Sequence, residues 1–311
     1  MIDDRSPAVE EGLTNDRPYS YIRIKNEGED GMRERIDRAI AQGKHASLGR
    51  ILEGSHNPEH RYAARKIVEV GPSLKEALAV AESLAERSEA PARHVACQLV
   101  PEVYTAGKKR AARLLHRLVD DEDRAVRDAA SEVCGRLLRA DFPAMLEVLH
   151  SWCSDRSENV RRAVGVAAGH AALPEHPEWA EPLLKLLEGL LEDRDRLVRR
   201  SIPPVIGGSL LSAYPILTFE YIVRWSTASD QQVLWNVAMA LSTPAAAGMV
   251  KKALIVLRKL SLDERRYVWR AVASAMWKLG RKRPEIVRPE LARWLEEERR
   301  VDVAREALKY I

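Results

Sequence analysis

The stretch DEDRAVRDAASEV, Asp121 to Val133, sets an acidic turn before an aliphatic–Arg pair and a run of small apolar residues. The same phrase returns as NPEHRYAARKIVE (57–69), APARHVACQLVPE (90–102), RSENVRRAVGVAA (156–168), DRDRLVRRSIPPV (193–205), SDQQVLWNVAMAL (229–241) and DERRYVWRAVASA (263–275). Between the markers Arg61, Arg93, Arg127, Arg161, Arg199, Trp235 and Trp269 the steps are 32, 34, 34, 38, 36 and 34 residues. Such a period holds two helices and their turns. It is the signature of an α-solenoid, in which each unit buries its apolar face against the next.

Between the phrases lie partner segments with apolar residues at i, i+3, i+4 and i+7, as amphipathic helices require. They are KKRAARLLHRLVDD (108–121), FPAMLEVLHSWCSD (142–155), WAEPLLKLLEGLLEDRD (179–195) and VKKALIVLRKLSLD (250–263). Asp or Ser in each turn is placed to cap the helix that follows. The D-x-x-V-R pattern with two helices per unit resembles HEAT repeats over about residues 45–311. That resemblance implies an all-α fold, a right-handed superhelix of helix pairs whose second helices line a concave, basic groove. Residues 1–31 stand outside the period: RPYSYIRIK (17–25) alternates like an arm or short strand, and NEGEDG (26–31) reads as a linker. The expected division is an N-terminal arm over 1–31 and one repeat domain of about seven helix pairs over 32–311.

Composition agrees with a globular chain: 46% of residues are apolar, 31% charged and only 5% aromatic. Residues 1–31 carry 4 − 8 = −4 charges, and residues 251–300 carry 15 − 7 = +8. A basic C-terminal part points to a polyanion-facing surface. Cys97, Cys134 and Cys153 have no C-x-x-C spacing and read as reduced, buried thiols. The start MIDDRSPAVEEG lacks the apolar core of a signal peptide, and no run approaches the ~18 apolar residues of a membrane helix. A cytoplasmic protein without a membrane partner is expected. His170 and His176 have no ligand cluster around them, and no Gly-rich phosphate loop precedes a helix, so neither metal nor cofactor is expected.

Two kinds of residue stand out for binding. The repeated Arg, above all Arg127 and Arg161, suits a ladder of ion pairs to the Asp of the neighbouring turn. The second Arg of each doublet, Arg162 and Arg200, lies about 100° round the helix and is free for phosphate, which its planar fork fits. Seven Trp all lie beyond residue 150. Trp152, Trp225 and Trp294 fall on core stripes, whereas Trp235 and Trp269 take marker positions among basic residues. RRYVWR (265–270) and MWKLGRKRPE (276–285) interleave aromatic and basic side chains, a pattern that serves base stacking and phosphate contact. In LGRKRPE (279–285), Arg281, Lys282 and Arg283 suit a helix C-terminus and also a DNA backbone.

Three segments resemble the HEAT-like DNA glycosylases that excise alkylated purines, the AlkD/AlkC superfamily: MLEVLHSWCSDRSENVRRAV (145–164), RSIPPVIGGSLLSAYPILTFEYIVRWSTASDQQVLWNVA (200–238) and RAVASAMWKLGRKRPEIV (270–287). The resemblance implies DNA as partner, held by its backbone in the concave groove, with aromatic side chains and one carboxylate at the damaged nucleotide. The expected DNA-contacting residues are Arg162, Arg196, Arg200, Trp235, Asn236, Arg266, Trp269, Arg270, Trp277, Lys278, Arg281 and Lys282. The family's acid falls on Arg200, the aromatic one turn earlier on Arg196, and the aromatic of the closing helix on Ser274. A guanidinium there would repel the cationic sugar that base excision creates. The expected function is therefore grip on damaged or distorted DNA. The alternatives are a protein–protein scaffold that takes its partner on the concave face, and a glycosylase that uses other residues; Asp230 and Asp263 fit better as helix caps than as its acid.

Overall fold

The computed structural model describes residues 27–311, and every regular element among them is helical. The segment 17–25, read as an arm or strand, lies outside the described residues. Helix α1 (Glu27–Ala41) begins inside the stretch read as a linker. Seven helix pairs follow. They are α2 (Asn57–Val70) with α3 (Leu74–Ala85), α4 (Ala90–Val103) with α5 (Lys108–Val119), and α6 (Arg124–Ala140) with α7 (Phe142–Trp152). Next come α8 (Glu158–Ala171) with α9 (Ala180–Glu188) and α10 (Arg196–Pro204) with α11 (Pro215–Trp225). The last pairs are α12 (Gln231–Ala240) with α13 (Val250–Leu260) and α14 (Arg266–Lys282) with α15 (Pro284–Leu295), before a final helix, α16 (Val301–Leu308). Successive even-numbered helices pack on one another as one layer, and the odd-numbered helices cover its back. No described helix is long and apolar enough to cross a membrane.

The turns set the phase of each repeat. Asp123, Ser157, Asp195 and Asp230 each accept hydrogen bonds from the two N–H groups at the second and third positions beyond them, which satisfies orphan donors of the helix start. Two residues earlier, Asp121, Asp155 and Asp193 accept the N–H of the capping residue and close the turn. The Arg four residues after the cap then staples the turn. Arg93, Arg127 and Arg161 each donate Nη1 to the carbonyls six and five residues before them. Arg93 also reaches Asp121 at 2.8 Å, and Arg161 reaches Asp193 at 2.6 Å, each tying one repeat to the next. Arg127 departs from the expected ladder. Its counterpart Asp155 is taken at 2.7 Å by His116 of α5, so Arg127 stays with its own turn.

Counted from the caps, the marker register shifts in the first and sixth repeats. His60 and Leu234 stand four residues after their caps, and Arg61 and Trp235 stand five after. One residue is about 100° of helix, so Arg61 and Trp235 face where Arg162 and Arg200 face rather than toward the ladder.

The core is a continuous aliphatic seam with Trp152, Trp225 and Trp294 buried in it. Trp225 and Trp294 keep their indole N–H groups bonded, to Glu188 and Glu290, both at 2.7 Å. Cys97 and Cys134 are buried and Cys153 half-buried, all three unpaired. Burial pushes the Cys134 thiol up to about 12 and Cys153 up to about 11, so both are inert.

The prolines of SIPPVIGG do not end their helix. Pro203 and Pro204 carry no N–H, and after them Val205–Leu210 winds as a π-helix. Gly207 lies against the end of α12: a Cβ there would sit 2.0 Å from the Ala240 carbonyl oxygen. Gly208 makes no such approach, because nothing lies within 4 Å of its missing Cβ.

Candidate functional site

One position per repeat builds the exposed face of the even-numbered layer. The residues five beyond the caps are Arg61, His94, Asp128, Arg162, Arg200, Trp235 and Arg270. Four clefts lie between them and adjoin through shared residues. Arg162 borders the first and second, Arg200 the second and third, and Trp235 the third and fourth.

The first cleft, about 460 Å³, is polar and carries both signs of charge. Asp128 holds Arg162 at 2.7 Å, and Glu132 holds Arg61 at 2.6 Å across the width of two repeats. His94 stacks on His60 with ring centres 4.3 Å apart and meets the Asn57 amide oxygen at 2.6 Å. Burial pulls His94 down to about 4, which leaves it neutral at ordinary pH.

The second cleft, about 440 Å³, is lined by Arg162 and Arg200 together with Ser201 and Ser209. The third is the largest, at about 820 Å³. Arg200, Lys278, Arg281 and Lys282 supply its charge, and Pro203, Pro204, Trp235, Met239, Pro244 and Trp277 its apolar surface. Arg281 stands 5.7 Å over the Trp277 ring, and Lys278 reaches the Ser242 hydroxyl at 3.4 Å. Trp235 is held from behind by Tyr267, with ring centres 5.7 Å apart and 11° between planes. The Tyr267 hydroxyl is itself fixed between Arg199 at 3.0 Å and Gln232 at 2.7 Å. The fourth cleft, about 450 Å³, adds Arg266 and Arg270, the latter 3.6 Å from Glu306.

Nine of the twelve expected residues therefore share one run of clefts: Arg162, Arg200, Trp235, Arg266, Arg270, Trp277, Lys278, Arg281 and Lys282. Three do not. Asn236 is wholly buried, its amide donating to the Leu191 carbonyl at 2.8 Å, so it cannot face a ligand. Trp269 takes the ladder position and packs half-buried on the core. Arg196 is exposed at the first position of α10 and lines none of the clefts. Asp230 caps α12, as expected, whereas Asp263 is not the cap of α14: Arg265 holds that position, and Asp263 closes the turn by accepting its N–H at 2.9 Å. Sequence reading passed over Asp128, Tyr267 and Met239. The spacing from each cap would have found Asp128, since it alone puts a carboxylate at the fifth position.

No Asp or Glu lines the second, third or fourth cleft, whereas the first has Asp128 and Glu132. Among the described residues, Arg196, Arg200, Arg266, Lys278, Arg281 and Lys282 form no ion pair. No group of three or more His, Cys, Asp or Glu among the described residues is placed to hold a metal.

The family model described as DNA alkylation repair enzyme matches residues 35–206, more than half of the chain. That span takes in the 145–164 segment and ends inside 200–238, while 270–287 lies beyond it. Among solved structures, AlkD2 from Streptococcus mutans is similar at 16% identity and a TM-score of 0.52, over 68% of this chain and 97% of that one. Pseudomonas fluorescens alkylpurine DNA glycosylase AlkC, bound to DNA containing an abasic site analog, is similar at 16% identity and a TM-score of 0.52. The latter match covers 73% of this chain and 66% of AlkC. No curated protein sequence matches the chain.

Proposed function

Because this chain belongs to the DNA alkylation repair enzyme family, we propose that it grips the phosphate backbone of damaged or distorted DNA along the run of clefts on its even-numbered helices. The observation that carries this is the lining of the second, third and fourth clefts. Cationic side chains gather there from α8, α10 and α14, and no carboxylate accompanies them. Unpaired guanidinium and ammonium groups on a surface repel one another, and an anionic ligand relieves that repulsion. Arg suits phosphate by its fork, and Lys by its compact charge. The similar AlkC structure contains DNA, which agrees with such a partner.

Holding is favoured over cutting. Excision of a base leaves positive charge on the sugar, and a nearby carboxylate stabilises it. The position expected to supply that acid is Arg200, exposed between the second and third clefts. The carboxylates that line the first cleft, Asp128 and Glu132, are each bound to an Arg.

The test is a gel-shift series on the full chain with plain, abasic and branched duplexes at rising salt. Binding at low salt should fall steeply with log salt, because each phosphate contact releases counterions with a slope of roughly −0.9 per contact. Absence of binding at low salt would overturn the proposal and leave the protein–protein scaffold standing. Release of free base from methylated DNA, expected to be absent, is the accompanying assay.

A further inference from the structure

The third cleft holds more than a grip on phosphate requires. Regular duplex presents phosphates and sugars outward and covers its base faces by stacking. In such a duplex only the C–H faces of the sugars can meet a cleft of two indoles, prolines and Met239, and the flat base faces that best cover an indole stay hidden. We infer that this cleft is a seat for a single unpaired nucleobase, which stacks on Trp235 or Trp277 while its flanking phosphates meet Arg200, Arg281 and Lys282.

Four observations support the seat. Its volume, about 820 Å³, lies within the range of roughly 300–1,000 Å³ typical of sites for small organic groups. Both indoles are only half-buried, in contrast to Trp152, Trp225 and Trp294 in the core. Both also have fixed neighbours: Trp235 rests on Tyr267, and Trp277 has Arg281 5.7 Å over its ring and Tyr310 5.9 Å away. Finally, the neighbouring clefts differ. The second has no indole or phenol in its lining, the first is held by ion pairs, and the fourth shares Trp235 and adds Tyr267 but has no second indole. Every base has a π-face, so stacking on an indole tolerates any sequence and selects for a base already out of its pair. The seat thus gives the groove a preference for bulged, mismatched or gapped DNA that backbone contacts alone do not provide.

This inference rests on the proposed DNA-binding role, and one experiment separates the two. The full chain is titrated with a fully paired duplex and with the same duplex carrying one bulged adenine. The bulged duplex should bind about tenfold tighter, in line with the stacking free energy of one base. Trp277→Leu, which keeps apolar bulk but removes the flat ring, should erase most of that preference while retaining binding to the paired duplex. Trp277→Phe should restore part of it. Lys282→Ala should weaken both duplexes alike. Equal affinity for the two duplexes, or a preference that survives both Trp277→Leu and Trp235→Leu, would overturn the seat and leave the groove intact. Failure of both duplexes to bind at low salt would overturn the groove, and the seat with it.

Discussion

Arg162 and Asp128 face each other across successive helices, with Nη2 of the one 2.7 Å from Oδ1 of the other. Asp128 is the one carboxylate in the series of residues five beyond the caps, and it holds the first Arg of the run that continues through Arg200. The pair is half-exposed, with side-chain accessibilities of 23% for Arg162 and 43% for Asp128, so it contributes only about 0–1 kcal/mol to folding. Its larger effect is to occupy a guanidinium that otherwise faces the second cleft.

Asp128→Asn should therefore raise affinity for duplex DNA by a few-fold to tenfold at low salt. The plot of log affinity against log salt should steepen by roughly one phosphate contact, about 0.9. Filter binding across a salt series reads both quantities. Unchanged affinity with an unchanged slope would show that Arg162 lies off the DNA path.

A buried ion pair behaves differently. The Arg93 and Asp121 side chains are each only 8% exposed. The guanidinium also serves the carbonyls of Arg87 and Ser88 at 3.0 and 2.6 Å. Arg93→Ala leaves a buried carboxylate and two carbonyls without their donor, and the expected loss is about 3–5 kcal/mol. Arg265→Ala breaks a half-exposed pair with Asp263 and should cost about 1 kcal/mol. Urea unfolding of the two variants gives the comparison. Losses of similar size would mean that burial is not what makes the Arg93 staple matter.

Stability should also fall in mild acid because of His94. Burial is the main cause of its depression to about 4, and His60 and Arg61 push the same way, while Asp123 opposes them. In the unfolded chain the imidazole takes its proton near 6.5, whereas the native state resists until about 4. The unfolded state binds the extra proton across that window. The contribution is thus fully present above about 6.5 and is lost as pH falls to about 4, by roughly 2–3 kcal/mol. His60, also lowered by burial, adds to the same slope. Urea midpoints from pH 7 to 4.5 should drop in the native chain and drop less in His94→Gln. Parallel curves for the two would show that the stacked imidazoles are not the sensor.

Much of this architecture was legible because it is written locally. A capping Asp or Ser and an apolar residue three or four positions on are neighbours in sequence, so the helix pairs and their period could be read directly. The lining of the clefts was half legible for the same reason: Arg162 and Arg200 differ from Arg161 and Arg199 by one residue, and one residue is a change of face. The failures were long-range or depended on phase. Trp235 looks like a marker when aligned by its aliphatic neighbour, but the cap at Asp230 places it one position later, in the lining of the third and fourth clefts. Asn236 reads as surface until the Leu191 carbonyl, distant in sequence, claims its amide. Arg127 lost its expected partner to His116, a residue of another helix. The π-helix after the prolines had no local signature beyond the missing N–H groups.

That π-helical turn provides the last and sharpest comparison, between adjacent glycines. At Gly207 an added Cβ would stand 2.0 Å from Ala240 O and 2.6 Å from its carbonyl carbon, both backbone atoms of α12. The Gly207 carbonyl also accepts from the Thr243 hydroxyl at 2.5 Å, so neither strand of this contact can move without breaking the other. Gly207→Ala must push the π-helical turn and α12 apart, at an expected cost of about 1–3 kcal/mol or more. Because Thr243, Pro203 and Pro204 line the third cleft, the same shift should also weaken DNA binding. At Gly208 the space is open and the backbone helical, so Gly208→Ala should be neutral or stabilise by up to about 1 kcal/mol through reduced freedom of the unfolded chain. Thermal unfolding and one gel shift per variant suffice. A Gly207→Ala protein as stable as its Gly208→Ala partner would mean that the close approach of the two helices is not what the Pro-Pro-Val-Ile-Gly run is built to achieve.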